Sequence, residues 1–308
     1  MKKFASIDIG SNTVRLLILE TQEHGNFREI DSIRRITRLG QGLDTKKRLS
    51  PGPMEATLAV LEEFKRACLN HGDIPIRAVA TSAVREAENR EEFIKMARER
   101  TGIDIEVIPW EEEARLTLKG VFWKIPHQNR TILTFDIGGG STEFILSKGD
   151  QVLGSVGTSL GTVRLTEKFI SRHPVPHADY EALTRHIQSE LADVKDRLPA
   201  VRPEIALGTA GTVTTLVALD QNIYPYDPLK VHAVSLPVDS IQKIQNDLKA
   251  KSLAQRLKLK PLEPGREDLI VAGIAIVLKT LATFGCPSLL VSEYGLREGI
   301  ILKALEAP

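Results

Sequence analysis

Cysteine is scarce in this chain. Cys68 and Cys286 are the 2 cysteines among 308 residues. They lie in apolar or helical surroundings and form no CxxC pair. This pattern argues against a disulfide and indicates two buried free thiols, as expected in a reducing cytoplasm.

A strong net charge and a long apolar run are also missing. The formal net charge is +1, so there is no global attraction to nucleic acid, and affinity for a polyanion must come from a local basic cluster. The longest strongly apolar run, Leu269 to Leu278, is too short for a bilayer, which needs about 20 residues. The first residues reach Asp8 before a signal-length apolar region can form. We therefore expect a cytoplasmic protein that binds neither membrane nor DNA or RNA.

The composition is otherwise that of an ordinary globular protein. Hydrophobic residues make up 42% and charged residues 26% of the chain. The length allows two domains or one large domain with an ample core.

Two segments share the pattern of an apolar strand, a turn with glycine and a second apolar strand. They are DIGSNTVRLLILE at residues 8–20 and DIGGGSTEFIL at residues 136–146. Each predicts a β-hairpin whose first strand ends in an aspartate. Glycine in such a turn lets backbone N–H groups approach an anion closely, as in phosphate-binding nests. The pair indicates a duplicated architecture with one phosphate-holding loop in each half.

The order of the predicted elements supports this duplication. After the first hairpin, periodicity and breakers predict a third strand, a helix that starts at Ser50-Pro51, and alternating strands and helices, so the first half reads βββαβαβα. The second half repeats the three strands, at 131–136, 142–148 and 152–157, then continues with helices and strands.

The domain boundary is expected at Lys124 to Arg130, where Pro126 and polar residues interrupt the pattern. The predicted domains are 1–124 and 125–308, and the last helix is free to pack back on the first domain. The segment from Asp220 to Lys230, rich in Asp, Tyr and Pro, is predicted to be a surface loop.

Six segments resemble the exopolyphosphatase/guanosine pentaphosphate phosphohydrolase family. From Ile7 to Gly299, in the family's order, they are DIGSNTVRLLI, ATSAVREAEN, EVIPWEEEARL, DIGGGSTEF, LGTAGTVTTL and SEYGLREGI. The resemblance implies an α/β fold, the duplicated ribonuclease-H-like fold of the actin-like and sugar-kinase superfamily, with two domains and a cleft between them. Longer family members have an additional helical C-terminal region, so the chain is similar to the short, two-domain form.

The reaction that the resemblance implies is hydrolysis of the terminal phosphoanhydride of inorganic polyphosphate. Guanosine pentaphosphate is the alternative substrate, because it also ends in a phosphoanhydride. A superfamily kinase and a non-catalytic sensor of polyphosphate or nucleotide are further alternatives. Hydrolysis requires charge neutralisation at the phosphoryl oxygens, an aligned water and a base.

Three turns and one arginine are predicted to hold the phosphates. The turn residues are Ser11, Asn12 and Thr13; Gly138, Gly139, Gly140 and Ser141; and Gly208, Thr209, Gly211 and Thr212, where a helix begins and its N-terminus favours an anion. Arg85 looks like an anion-binding residue of the first domain, since a guanidinium binds phosphate in bidentate fashion. Arg15, Arg266 and Arg297 are weaker candidates.

Asp136, Glu143 and Asp8 are the carboxylates nearest these turns. A carboxylate beside a phosphate is repulsive unless a cation lies between them. Hard oxygen ligands together with phosphate suit Mg²⁺, so we expect a requirement for Mg²⁺ or another divalent cation.

Glu111, Glu112 and Glu113 open a helix, where the helix dipole favours acidic residues in any case. The resemblance singles out Glu113, immediately before Ala-Arg, as the base that activates water. Glu112 is the fallback, because which carboxylate faces the substrate is open at this point. The oligomeric state is open as well, with a homodimer as one possibility.

Overall fold

The computed structural model describes residues 2–22, 27–123, 125–127, 129–149 and 151–306. The chain forms two compact units, Met1–Gly120 with Leu296–Pro308, and Val121–Gly295. The predicted first domain ends at Lys124, which lies outside the described residues, as does Gln128 in the predicted boundary. The last helix belongs to the first unit.

The first unit is built on a mixed five-stranded sheet in the order β3-β2-β1-β4-β5. The strands are β1 (Lys3–Ile9), β2 (Thr13–Thr21), β3 (Phe27–Ile36), β4 (Ile76–Ala80) and β5 (Ile105–Val107). The first three strands are antiparallel, whereas β4 pairs in parallel with β1 and β5 in parallel with β4. The helices are α1 (Leu43–Lys46), α2 (Pro51–Leu69), α3 (Ser82–Glu86), α4 (Arg90–Thr101), α5 (Trp110–Phe122) and α13 (Leu296–Glu306).

The sequence pattern explains how this unit buries its core. The helix α2 begins after Ser50 with Pro51 at its first position, as predicted, and its apolar stripe, which includes Leu58, Leu61 and Phe64, is buried. This stripe packs with the inward residues of β1 and β2 in one hydrophobic cluster. The helix α13 contributes Ile301 to a smaller cluster with Leu17 and Leu19 of β2.

The second unit is built on a six-stranded sheet in the order β10-β11-β9-β6-β7-β8. The strands are β6 (Thr131–Ile137), β7 (Thr142–Lys148), β8 (Gln151–Thr158), β9 (Ile205–Thr209), β10 (Ser235–Pro237) and β11 (Ser288–Val291). The helices are α6 (Thr162–Phe169), α7 (His177–Arg197), α8 (Gly211–Asp220), α9 (Pro228–Val231), α10 (Val238–Lys249), α11 (Leu253–Arg256) and α12 (Ile270–Phe284). The almost wholly buried helix α12 lies at the centre of the core.

The two sheets share one topology. In each, three antiparallel strands continue into two parallel ones, so that β6, β7, β8, β9 and β11 repeat β1 to β5. The predicted order βββαβαβα of the first half is confirmed, with the short helices α1 and α3 in addition.

Two local predictions need correction, and further elements were not predicted. The strand β9 extends through Gly208 and Thr209, which were predicted to lie in the following turn. The predicted surface loop from Asp220 to Lys230 includes a helix start at Pro228, because the side chain of Asp227 accepts a hydrogen bond from the Leu229 amide and caps it. The elements β10, α10 and α11 were not predicted.

Both cysteines are free and buried, as predicted. Burial raises the pKa of the Cys68 thiol to about 11. Within the described part of the chain, no helix combines the length and apolar character needed to cross a membrane.

Candidate functional site

The turn between β1 and β2 is held by backbone hydrogen bonds. The Gly10 amide donates to the Thr13 carbonyl at 3.0 Å. The carbonyls of the two middle residues are also engaged: the Gly40 amide donates to Ser11 at 2.8 Å and the Thr37 amide to Asn12 at 3.0 Å. Ser11 and Asn12 are buried, so this turn is a packed part of the first unit.

The turn between β6 and β7 has the same closure in the second unit. The Gly138 amide donates to the Ser141 carbonyl at 2.9 Å. Here the first amides of α6 hold the carbonyls: Thr162 donates to Gly138 at 3.0 Å and Val163 to Gly139 at 2.9 Å. A Cβ added to Gly161 would lie 2.2 Å from the carbonyl carbon of Gly140, so this approach of helix and turn needs a glycine.

In both turns, carbonyl oxygens are thus bound by protein N–H groups. An oxygen that would repel a phosphate is neutralised by such a bond. The arrangement therefore favours an anion at the remaining N–H groups, as in backbone nests.

The third predicted turn, between β9 and α8, differs from the first two. Ala210 has φ 73° and ψ 175°, a region that is essentially restricted to glycine and that costs of order 1–3 kcal/mol. The hydroxyl of Thr209 donates to the Tyr294 carbonyl at 2.9 Å. The guanidinium of Arg266 covers the position where a Gly211 side chain would start, with Nη2 at 2.1 Å from an added Cβ. A cation therefore lies at this helix start.

The carboxylates beside the two hairpin turns have opposite environments. Asp136 pairs directly with Glu143 across β6 and β7, and Glu143 is buried. Asp8 occupies the equivalent position in the first hairpin and pairs with Arg15. Burial raises the pKa of Asp8 above its ordinary value, and the charges of Arg15 and Arg297 oppose this rise.

Among the described residues, no group of three or more His, Cys, Asp or Glu side chains is arranged to hold a metal ion. A pair of carboxylates such as Asp136 and Glu143 still fits Mg²⁺, which commonly takes one or two carboxylates and completes its shell with water and substrate phosphate.

The three glutamates at the start of α5 are directed differently. Glu113 is buried and binds Nη1 of Arg85 through Oε2 at 2.8 Å. Glu112 is half-buried and forms ion pairs with Lys303 and Arg115. Glu111 is exposed. The structure therefore brings Glu113 together with the predicted anion-binding residue Arg85.

Arg85 is held from two further directions. Its Nη1 also donates to the Ile108 carbonyl at 2.9 Å. Its Cζ lies 4.1 Å from the centre of the Trp110 ring. Trp110 was not predicted as a site residue, because nothing in the sequence shows that α3 and the start of α5 meet. The one feature of the sequence that could have indicated Trp110 as a site residue is its position three residues before Glu113.

Comparisons with known proteins agree on one family. The model of the Ppx/GppA phosphatase family matches residues 17–307. Exopolyphosphatase 2 of Mycobacterium tuberculosis is 32% identical over 315 residues, covering 98% of both chains. A bifunctional 3-dehydroquinate synthase/phosphatase of Fusobacterium nucleatum is 32% identical over 310 residues, which cover 98% of this chain and 46% of that protein.

Solved structures give the same result. The Aquifex aeolicus member of the Ppx/GppA protein family has a TM-score of 0.83 at 35% identity, covering 99% of this chain and 97% of that one. An exopolyphosphatase from Cytophaga hutchinsonii has a TM-score of 0.93 at 26% identity, covering 99% and 98%.

The fold and the comparisons show that the protein is an enzyme of the phosphoanhydride hydrolase class. It has the duplicated ribonuclease-H-like fold of the actin-like superfamily. The chain belongs to the Ppx/GppA phosphatase family. The predicted family and fold class are thereby confirmed, whereas the roles of individual residues stay predictions.

Proposed function

We propose that the protein is an exopolyphosphatase that hydrolyses the terminal phosphoanhydride of inorganic polyphosphate and releases orthophosphate. The observation that carries this proposal is the buried pair of Glu113 and Arg85, which unites a carboxylate base with a phosphate-binding cation. The full-length similarity to Exopolyphosphatase 2 supports the choice of substrate.

In the proposed reaction, each hairpin turn, at residues 11–13 in the first unit and 138–141 in the second, offers backbone N–H groups to phosphoryl oxygens of the chain. Gly208, Thr209, Gly211 and Thr212 would add the start of α8, with Arg266 as a cationic contact. Glu113 accepts a proton at a carboxylate oxygen as the water oxygen attacks phosphorus and the P–O bond to the leaving chain breaks. Arg85 stabilises the phosphoryl oxygens, where negative charge is concentrated.

Asp136 and Glu143 are the proposed residues for a divalent cation, with Asp8 as a further candidate. Such a cation, when bound, would neutralise phosphate charge near the scissile bond. The pairing of Asp136 with Glu143 across two strands supports their assignment, because two adjacent carboxylates repel each other without a cation.

Guanosine pentaphosphate is the second candidate substrate, and one observation favours it. In the second unit, the ring of Tyr294 makes edge contacts with Trp123, at 5.5 Å between centroids, and with His232, at 4.7 Å. The backbone carbonyl of Tyr294 accepts a hydrogen bond from the Thr209 hydroxyl, which places this residue beside the turn between β9 and α8. Aromatic rings beside a phosphate-binding turn are suited to a nucleobase.

One assay separates these candidates. Purified enzyme with Mg²⁺ is given long-chain polyphosphate, tripolyphosphate and guanosine pentaphosphate side by side, and released orthophosphate is measured. The proposal predicts the highest kcat/KM with long-chain polyphosphate. Preference for guanosine pentaphosphate would establish the second candidate, while a phosphorylated acceptor instead of orthophosphate, or binding without turnover, would contradict both.

A further inference from the structure

The side chain of Trp110 lies at the start of α5 and stacks on the guanidinium of Arg85, with 4.1 Å between Cζ and the ring centre. We propose that Trp110 is a positioning residue, which keeps Arg85 oriented while Glu113 changes its charge during the reaction. This inference rests on the proposed function, in which Glu113 is the base.

The hydrogen bonds of Arg85 occupy one end of the guanidinium only. Nη1 donates to Ile108 and Glu113, whereas Nε and Nη2 are buried and have no hydrogen-bond partner within the described part of the chain. These two nitrogens form a planar fork of the kind that binds two phosphate oxygens at once. A fork with fixed direction requires that the guanidinium be held in place, and the centre of the Trp110 ring lies 4.1 Å from its Cζ.

The ion pair between Arg85 and Glu113 cannot fix this plane throughout the reaction. When Glu113 accepts a proton from the attacking water, its carboxylate becomes neutral and its attraction for Arg85 weakens. The Ile108 carbonyl and the Trp110 ring do not change charge in this step. The cation–π interaction with Trp110 therefore persists at the moment when Arg85 must hold the phosphoryl oxygens.

The first test compares an aromatic with an aliphatic replacement. Trp110→Phe retains a ring and is expected to keep kcat for long-chain polyphosphate within about threefold of wild type, whereas Trp110→Leu is expected to lower kcat about tenfold with a smaller change in KM. Thermal melting establishes that each variant is folded. Equal kcat in the two variants would overturn the proposal, because a residue that only fills space does not require a π face.

The second test is a double-mutant cycle with Arg85→Ala. If Trp110 acts through Arg85, the double variant Trp110→Leu/Arg85→Ala is no slower than Arg85→Ala alone. Losses that multiply would show that Trp110 acts elsewhere and would overturn the proposal.

The third test does not depend on activity. Trp123 is the other of the 2 tryptophans, so Trp123→Phe leaves Trp110 as the single source of tryptophan fluorescence. Adding Arg85→Ala is expected to change the emission and the acrylamide quenching of Trp110, and unchanged emission and quenching would overturn the stacking. If the wild type releases no phosphate from any substrate, the proposed function is wrong. The fluorescence measurement would still show whether Trp110 contacts Arg85.

Discussion

Asp136 lies directly opposite Glu143 in the pairing of β6 with β7, whereas the equivalent residue of the first hairpin, Asp8, lies opposite Arg15. The same backbone therefore presents two carboxylates in one unit and a charge-compensated pair in the other. A divalent cation is favoured more by the first arrangement than by the second, where the charge of Arg15 offsets part of that of Asp8.

This difference predicts the metal dependence of the variants. Asp136→Asn and Glu143→Gln are expected to raise the Mg²⁺ concentration for half-maximal activity at least tenfold, because each removes a charged oxygen ligand. Asp8→Asn is expected to raise that concentration less than the other two variants do, because Arg15 lies opposite Asp8 and offsets part of its charge. Titration of Mg²⁺ after exhaustive chelation measures all three, and unaltered metal dependence of Asp136→Asn would contradict the assignment.

Gly161→Ala is expected to lower phosphate release more than tenfold. The new methyl group would meet the backbone of Gly140 and Gly139 at 2.2–2.3 Å, so the turn between β6 and β7 must shift. The matched control is Gly52→Ala in α2, where an added Cβ meets nothing within 4 Å. This control should keep full activity and melt at an equal or slightly higher temperature. Normal turnover of Gly161→Ala would show that the turn geometry does not matter.

Arg85→Lys is expected to raise KM for polyphosphate about tenfold. A lysine retains the charge but cannot bond Ile108 and Glu113 while presenting a planar fork. Arg98→Lys is the control, since Arg98 is exposed and pairs with exposed Asp104. Steady-state kinetics at several salt concentrations make the comparison. The same KM in both variants would exclude bidentate binding by Arg85.

Stability is expected to fall as pH decreases through the ordinary titration range of histidine. Burial lowers the pKa of His173, and Arg256 reinforces this; Nη1 of Arg256 lies 3.0 Å from Nδ1 of His173. Because the folded pKa is below the unfolded value of 6.5, the unfolded state binds the proton first. The contribution of His173 to the free energy of unfolding is therefore complete above about pH 6.5 and is lost progressively below it.

Thermal melting from pH 8 to pH 5.5 measures this effect. His173→Gln should melt with a weaker dependence of the melting temperature on pH, although half-buried His186, whose pKa burial also lowers, retains part of that dependence. His177→Gln is the control, because this side chain is 87% exposed, and it should match the wild type. The account of His173 is wrong if the melting temperature of His173→Gln and that of the wild type change equally with pH.

The parts of the fold predicted from the sequence are those specified by local patterns. Alternation and glycine turns predicted both hairpins, and the Ser50-Pro51 start of α2 follows from the chemistry of helix ends. The elements β10, α10 and α11, between Ser235 and Arg256, were missed, although Ser252 and Gln255 form a capping box at the start of α11. The strand β10 is only three residues long and depends on pairing with β11.

In the candidate site, too, local sequence patterns predict some features, whereas others depend on tertiary contacts. Residue types at the turns predict anion-binding positions, which stay predictions, whereas the contacts that distinguish Glu113 from Glu112 are tertiary. Arg85 follows β4 and Glu113 follows β5, and the two meet because these strands are parallel neighbours. The stacking of Trp110 on Arg85 depends on the same pairing, so no spacing in the sequence indicates it.

The most direct test of the account is phosphate release from long-chain polyphosphate by Glu113→Gln, with Glu112→Gln as the matched control one residue away. Glu113→Gln removes the proposed base and is expected to lower kcat by about 10²–10⁴-fold with little change in KM. Glu112→Gln, whose side chain pairs with Lys303, should stay within about threefold of wild type. Near-normal turnover in Glu113→Gln, with turnover abolished in Glu112→Gln, would move the base by one residue. Near-normal turnover in both would contradict the account.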